Sequence, residues 1–151
     1  MPLSQDTRSA LSSCDEDGVY EFPKDFDEEV LEKRARLVLL SIADLGIRVK
    51  FEDWVHNQDA SFGLAILLEE FQKRDGQLLH IPCLRFSNFG NLVSLTWKEI
   101  VPRSVFRDIL KVVTDNDFIY VSAEELDCPY DGVMKGDENL PTWWIRYFDW
   151  I

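Results

Sequence analysis

Leu78-Leu79-His80-Ile81-Pro82-Cys83-Leu84-Arg85-Phe86 runs through Ser87-Asn88-Phe89-Gly90 into Asn91-Leu92-Val93-Ser94-Leu95-Thr96, and this stretch decides the fold. Two apolar-rich runs flank a loop whose Asn and Gly tolerate the positive φ that a tight reversal needs, so an antiparallel hairpin is expected. Upstream, Ile47, Val49 and Phe51 alternate with Arg48 and Lys50, the period of a half-buried strand. Downstream, Phe118-Ile119-Tyr120-Val121 follows the turn Asp115-Asn116-Asp117 and reads as a fourth strand.

Helices are expected between and around these strands. Leu31, Ala35, Val38, Ile42 and Leu45 recur at helical spacing, acids Asp27, Glu28 and Glu29 crowd the first turn, and Gly46 stops the run. Phe62 to Phe71 is apolar around most of a helical circumference after Asp59 or Ser61, which predicts a central second helix ending before Gly76. Pro102 opens a third helix through about Thr114, with Val105, Ile109 and Val112 on one face. Without its flanks the order is strand, helix, strand, strand, helix, strand. The fold class expected is α+β: a four-stranded, mainly antiparallel sheet with helices packed on it in βαββαβ-like order, plus an N-terminal helix and a C-terminal aromatic helix.

The tail carries the densest apolar signal. In Thr142-Trp143-Trp144-Ile145-Arg146-Tyr147-Phe148-Asp149-Trp150-Ile151, a cap at Thr142 puts Trp144, Tyr147, Phe148 and Ile151 on one helical face, with Trp143 and Trp150 starting another. So many rings on a free end are a solubility liability unless most are docked, so the tail is expected to lid the core. Residues 1–24 mix Ser, Asp, Glu and Gly with few apolar positions and read as a flexible N-terminal arm. Residues 25–151 read as a single α+β domain.

Formal charge is −12, and hydrophobic residues make up 46%, enough to exclude wholesale disorder. Residues 1–34 hold ten acids and four bases, residues 35–114 nine and ten, and residues 115–151 nine and two. Acidic ends around a neutral middle repel nucleic acid and anionic lipid and speed encounter with basic proteins. Cys14, Cys83 and Cys128 show no CxxC spacing, which reads as a reduced, cytoplasmic protein. No signal-length apolar run precedes Cys14, and no segment approaches the length of a membrane span.

Catalytic signals are weak. A strand would place His80 and Cys83 on opposite faces, and no second pair completes a metal site, so neither metal nor cofactor is expected. The remaining histidine, His56, falls in a loop with Trp54. Neither a nucleophile elbow nor a phosphate-cradling glycine loop occurs. Adjacent carboxylates such as Glu69-Glu70 and Glu124-Glu125 arise readily in a chain with 28 acids.

Three stretches together carry a resemblance: Leu84 to Leu92, Leu126-Asp127-Cys128-Pro129-Tyr130-Asp131-Gly132, and the closing Thr142 to Ile151. They resemble immunity proteins of bacterial polymorphic and contact-dependent toxin systems, over roughly residues 84–151. The resemblance implies a cytoplasmic, non-enzymatic inhibitor that binds a cognate toxin C-terminal domain, basic and of nuclease type among others, and blocks its active site. On that logic Asp115, Asp117, Glu124, Glu125, Asp127, Asp131, Asp137 and Glu138 would form the charged surface, with Tyr130 or Trp143 as the anchoring ring. Two alternatives remain: an acidic regulator or nucleic-acid mimic, and a small carboxylate-dependent enzyme with a sequestered acid.

Overall fold

The computed structural model describes residues 2–53 and 59–151, so Trp54 and His56 lie outside the described residues. Among the described residues the protein is α+β, built on a mixed five-stranded sheet with helices packed on it. In chain order come α1 (Gln5–Ser13), α2 (Glu28–Asp44), β1 (Lys50–Asp53), β2 (Phe62–Leu67), β3 (Lys73–Asp75), β4 (Leu78–His80), β5 (Cys83–Ser87), β6 (Leu92–Thr96), α3 (Arg103–Asp115), β7 (Ile119–Tyr120), α4 (Ala123–Leu126) and α5 (Trp143–Phe148). Strands β1-β2-β5-β6 pair antiparallel, β7 joins β6 in parallel, and β3-β4 form a separate hairpin.

The expected second helix is a strand. Residues Phe62–Leu67 form β2, between β1 and β5, and an apolar run of this length does not distinguish a helix from a strand buried on both faces. Alternation in size was the usable signal. Leu64 and Ile66 oppose Phe86 and Leu84 in the ladder and join the helix-covered core, whereas Gly63 and Ala65 leave room on the other face. The four-stranded antiparallel arrangement is therefore replaced by five strands of mixed direction.

Other boundaries move for local reasons. Gly76 reverses the chain with φ +61, making β3-β4 a hairpin of its own, and β4 ends at His80, before Pro82 removes a donor. The expected hairpin survives as β5-β6, with Leu84 opposite Leu95 and Phe86 opposite Val93. Ile47 is buried ahead of β1 instead of lying within it.

Helix α2 forms as its spacing requires. Asp27 caps it by accepting from the Val30 amide at 3.2 Å, and Leu31, Ala35, Val38 and Ile42 are buried against the sheet. Ile109 and Val113 of α3 complete this layer. A second cluster gathers Leu11, Phe89, Leu92, Val121, Leu126, Trp143, Tyr147 and Phe148.

The N-terminal segment, expected from its composition to be a flexible arm, holds a helix. Ser4 caps α1 through the Thr7 amide, and Leu11 is fully buried in the second cluster. Its few apolar residues mattered less than one polar residue, Asp15, which pairs with the tail.

Candidate partner-binding surface

The acidic C-terminal segment takes its shape from a buried polar centre. Thr142 caps α5 by accepting from the Ile145 amide at 3.2 Å, and Trp143, Arg146, Tyr147 and Phe148 are buried. A helix this short does not persist alone, so its shape depends on docking. At the centre, Asp15 accepts from Arg146 Nε at 2.9 Å, from the Tyr130 hydroxyl at 2.8 and 2.9 Å, and from the Val133 amide at 2.9 Å. Arg146 also donates to the Glu16 carbonyl at 3.2 Å, its guanidinium lies 4.5 Å from the Phe89 ring centroid, and its Nη1 has no hydrogen-bond partner. The Tyr147 hydroxyl donates to the Leu11 carbonyl at 2.6 Å.

This geometry assigns Tyr130-Asp131-Gly132 to the scaffold. Tyr130 is half-buried with its hydroxyl committed to Asp15, and burial is the main cause raising its pKa. Asp131 accepts from Arg8 at 3.2 Å and from Trp143 Nε1 at 3.0 Å, and the Arg8 contact is the main cause holding its carboxyl below the usual range. Gly132 is required by contact, because an added Cβ would stand 2.0 Å from Asp15 Oδ2. Trp143 is 1% exposed and stacks at 6.0 Å on Tyr147, so it cannot anchor a partner without leaving the core.

The remaining acids divide by exposure. Asp115, Asp117, Glu124, Asp127 and Glu138 are exposed, as is Asp131. Asp115 pairs with Lys111 at 2.8 Å across one helical turn, and Asp117 sits in the left-handed region at φ 62. Glu125 is half-buried and accepts from Ser4 at 3.4 Å. Asp137 accepts from the Tyr20 hydroxyl and from the Asn139 amide, and the tyrosine bond is the main cause lowering its pKa.

Exposed rings lie elsewhere than expected. Helix α5 stops at Phe148, so the final residues run extended: Trp150 forms a β-bridge with Ala60, and the Ile151 amide donates to the Asp59 carbonyl at 2.6 Å. Trp150 is 45% exposed and meets the Phe62 ring edge-on at 4.9 Å. Beside it Arg85 donates to the Phe148 carbonyl at 2.7 Å and lies near the rings of Phe62, Trp144 and Trp150. Among the described residues Phe22 and Trp97 are exposed as well; Trp97 adopts φ 54 and lies tilted against His80, with ring centroids 4.1 Å apart. A bulky residue at positive φ is a backbone outlier that sequence patterning does not announce.

Reactive chemistry finds little support in the cysteines. Burial pushes the Cys83 thiol up to about 11 and raises Cys14 and Cys128 as well, the opposite of an activated thiolate. Among the described residues no group of three or more His, Cys, Asp or Glu is placed to hold a metal ion, and no helix is long and apolar enough to cross a membrane. Searches of family models, curated proteins and solved structures find no match to this chain.

Proposed function

We propose that this chain is a toxin-neutralising immunity protein of the bacterial cytoplasm. It binds a basic toxin domain stoichiometrically and covers that domain's active site. The observation that carries this reading is the pairing of an exposed acidic surface with a rigid mounting: Glu124, Asp127, Asp131 and Glu138 are exposed on a segment held through the buried Asp15–Arg146 pair. Carboxylates carried on a docked segment steer a basic partner, and the backbone that presents them loses little loop freedom on binding. Trp150, exposed at the end of the same segment, replaces Trp143 as the anchoring ring.

The test is co-expression with the C-terminal domain of a large secreted protein encoded next to this gene. Rescue of growth and a one-to-one complex on gel filtration are expected. A toxic domain that is neither bound nor neutralised overturns the proposal.

A further inference from the structure

Helix α2 is apolar on two faces, and the fold uses one of them. Leu31, Ala35, Val38 and Ile42 are buried against the sheet, whereas Val30, Leu37 and Leu40 are 52%, 54% and 60% exposed. Together with Lys33 and Asp44, which are also exposed, these three fall at alternating intervals of three and four: Val30, Lys33, Leu37, Leu40, Asp44. Those are the a and d positions of a heptad. Single exposed leucines need no explanation, but a row at this spacing is a continuous stripe along the helix. Among the described residues neither Lys33 nor Asp44 has an ion-pair partner, unlike Glu32 and Arg36 of the same helix, which pair at 3.0 Å.

We infer that this stripe is the contact between two copies of the chain, with their α2 helices antiparallel. In that orientation an a position of one helix lies level with a d position of the other. Leu37 then faces Leu40 of the second copy and Lys33 faces its Asp44, and the two-fold axis repeats both contacts to give four layers. One register satisfies both pairings, because Lys33 precedes Leu37 by four positions and Asp44 follows Leu40 by four. A parallel pair would set Lys33 against Lys33 and Asp44 against Asp44, and an unrelated apolar helix would leave both charges unmatched. The charge complementarity is therefore with the chain itself. A seam of about three turns falls short of the roughly 800 Å² per partner of a standard interface, and the charge of −12 on each copy opposes association further. The dimer is accordingly weak, with a dissociation constant on the order of 100 µM. This inference goes beyond the immunity reading and does not depend on it.

The experiment is sedimentation equilibrium of the whole chain at fixed ionic strength, from about tenfold below to about tenfold above that constant, where reversible monomer–dimer exchange is expected. Lys33→Asp and Asp44→Lys each place like charges in both end layers and should weaken dimerisation by about tenfold, with the helical circular dichroism retained. Mixing these two variants puts opposite charges back in both layers, so the mixture should form a heterodimer as strong as the unmodified dimer. Leu37→Ser with Leu40→Ser should abolish association. A chain that stays monomeric throughout the range, a dimer indifferent to these substitutions, or a mixture no stronger than its components overturns the inference. A monomeric chain whose complex with the toxin domain is lost in Leu37→Ser with Leu40→Ser also overturns it, and assigns the face to that partner.

Discussion

Asp15 and Arg146, separated by 131 positions, form an ion pair 2.9 Å long whose side chains are 2% and 0% exposed. The pair joins the chain's two acidic ends, which long-range repulsion alone would separate. Desolvating two charges costs several kcal/mol per ion, and the Tyr130, Val133 and Glu16 contacts offset part of that cost.

Removing one partner strands the other. Arg146→Met should lower the unfolding free energy by about 3 to 5 kcal/mol, measured by urea denaturation. Adding Asp15→Leu should recover part of the loss, because no buried carboxylate then remains unpaired. Equal midpoints for Arg146→Met and the unmodified protein would show that the pair contributes nothing.

Gly132 tests the same centre from the backbone side. Gly132→Ala places a methyl 2.0 Å from Asp15 Oδ2 and 2.5 Å from the Tyr130 hydroxyl, and both are held by hydrogen bonds. A loss of roughly 1 to 3 kcal/mol is expected from overpacking, read as a lower thermal midpoint. Tyr130→Phe should leave Gly132→Ala costly, since the clash with Asp15 persists.

Much of the helical layer was legible because one periodicity was unopposed. Leu31, Ala35, Val38 and Ile42 could be placed on one face of α2, and Gly46, at φ +85, marks where the chain leaves it. The residues of β2 misled because burial on both faces erases the alternation that identifies a strand. Tyr130 and Trp143 resembled anchors because aromatic content carries no information about which rings are docked. Their partners, Asp15 and Asp131, lie 115 and 12 positions away, and nothing local in either stretch specifies that contact.

Alkaline pH should unfold the protein through its tyrosines. Burial raises Tyr120 to about 12 and raises Tyr147 further, whereas in the unfolded chain both ionise near the ordinary tyrosine value of about 10. Above that pH the unfolded state has released protons that the folded state retains, so stability is full below pH 10 and falls as pH rises toward the folded values. Each such tyrosine contributes a slope of about 1.4 kcal/mol per pH unit. Tyr147→Phe should flatten the decline, while losing about 1 kcal/mol at neutral pH with the hydrogen bond to Leu11. A stability curve flat from pH 10 to 11.5 would contradict the burial of both hydroxyls.

The adjacent tryptophans should behave differently. Trp143→Ala removes a fully buried ring and its bond to Asp131, and should cost about 3 to 5 kcal/mol. Trp144 is half-buried, stacked on Phe148 and bonded to Asp149, so Trp144→Ala should cost less. Chemical denaturation of the two variants side by side gives the order. A reversed order would place the helix face differently.

Steering by the acidic surface is best tested on exposed carboxylates away from the buried centre. Glu124, Asp127 and Glu138 are exposed, whereas Glu125 bonds Ser4 and Asp131 holds Trp143, so reversing either of the latter would mix stability with binding. Reversing the first three to Lys should leave the thermal midpoint within about 2 °C and slow association with the toxin domain by roughly tenfold at low ionic strength. Added salt should shrink that difference, since exposed charges are screened beyond a Debye length of about 8 Å near 0.15 M. Stopped-flow association across a salt series reads both effects. A rate deficit unchanged by salt would mean that these carboxylates act by contact and not by steering.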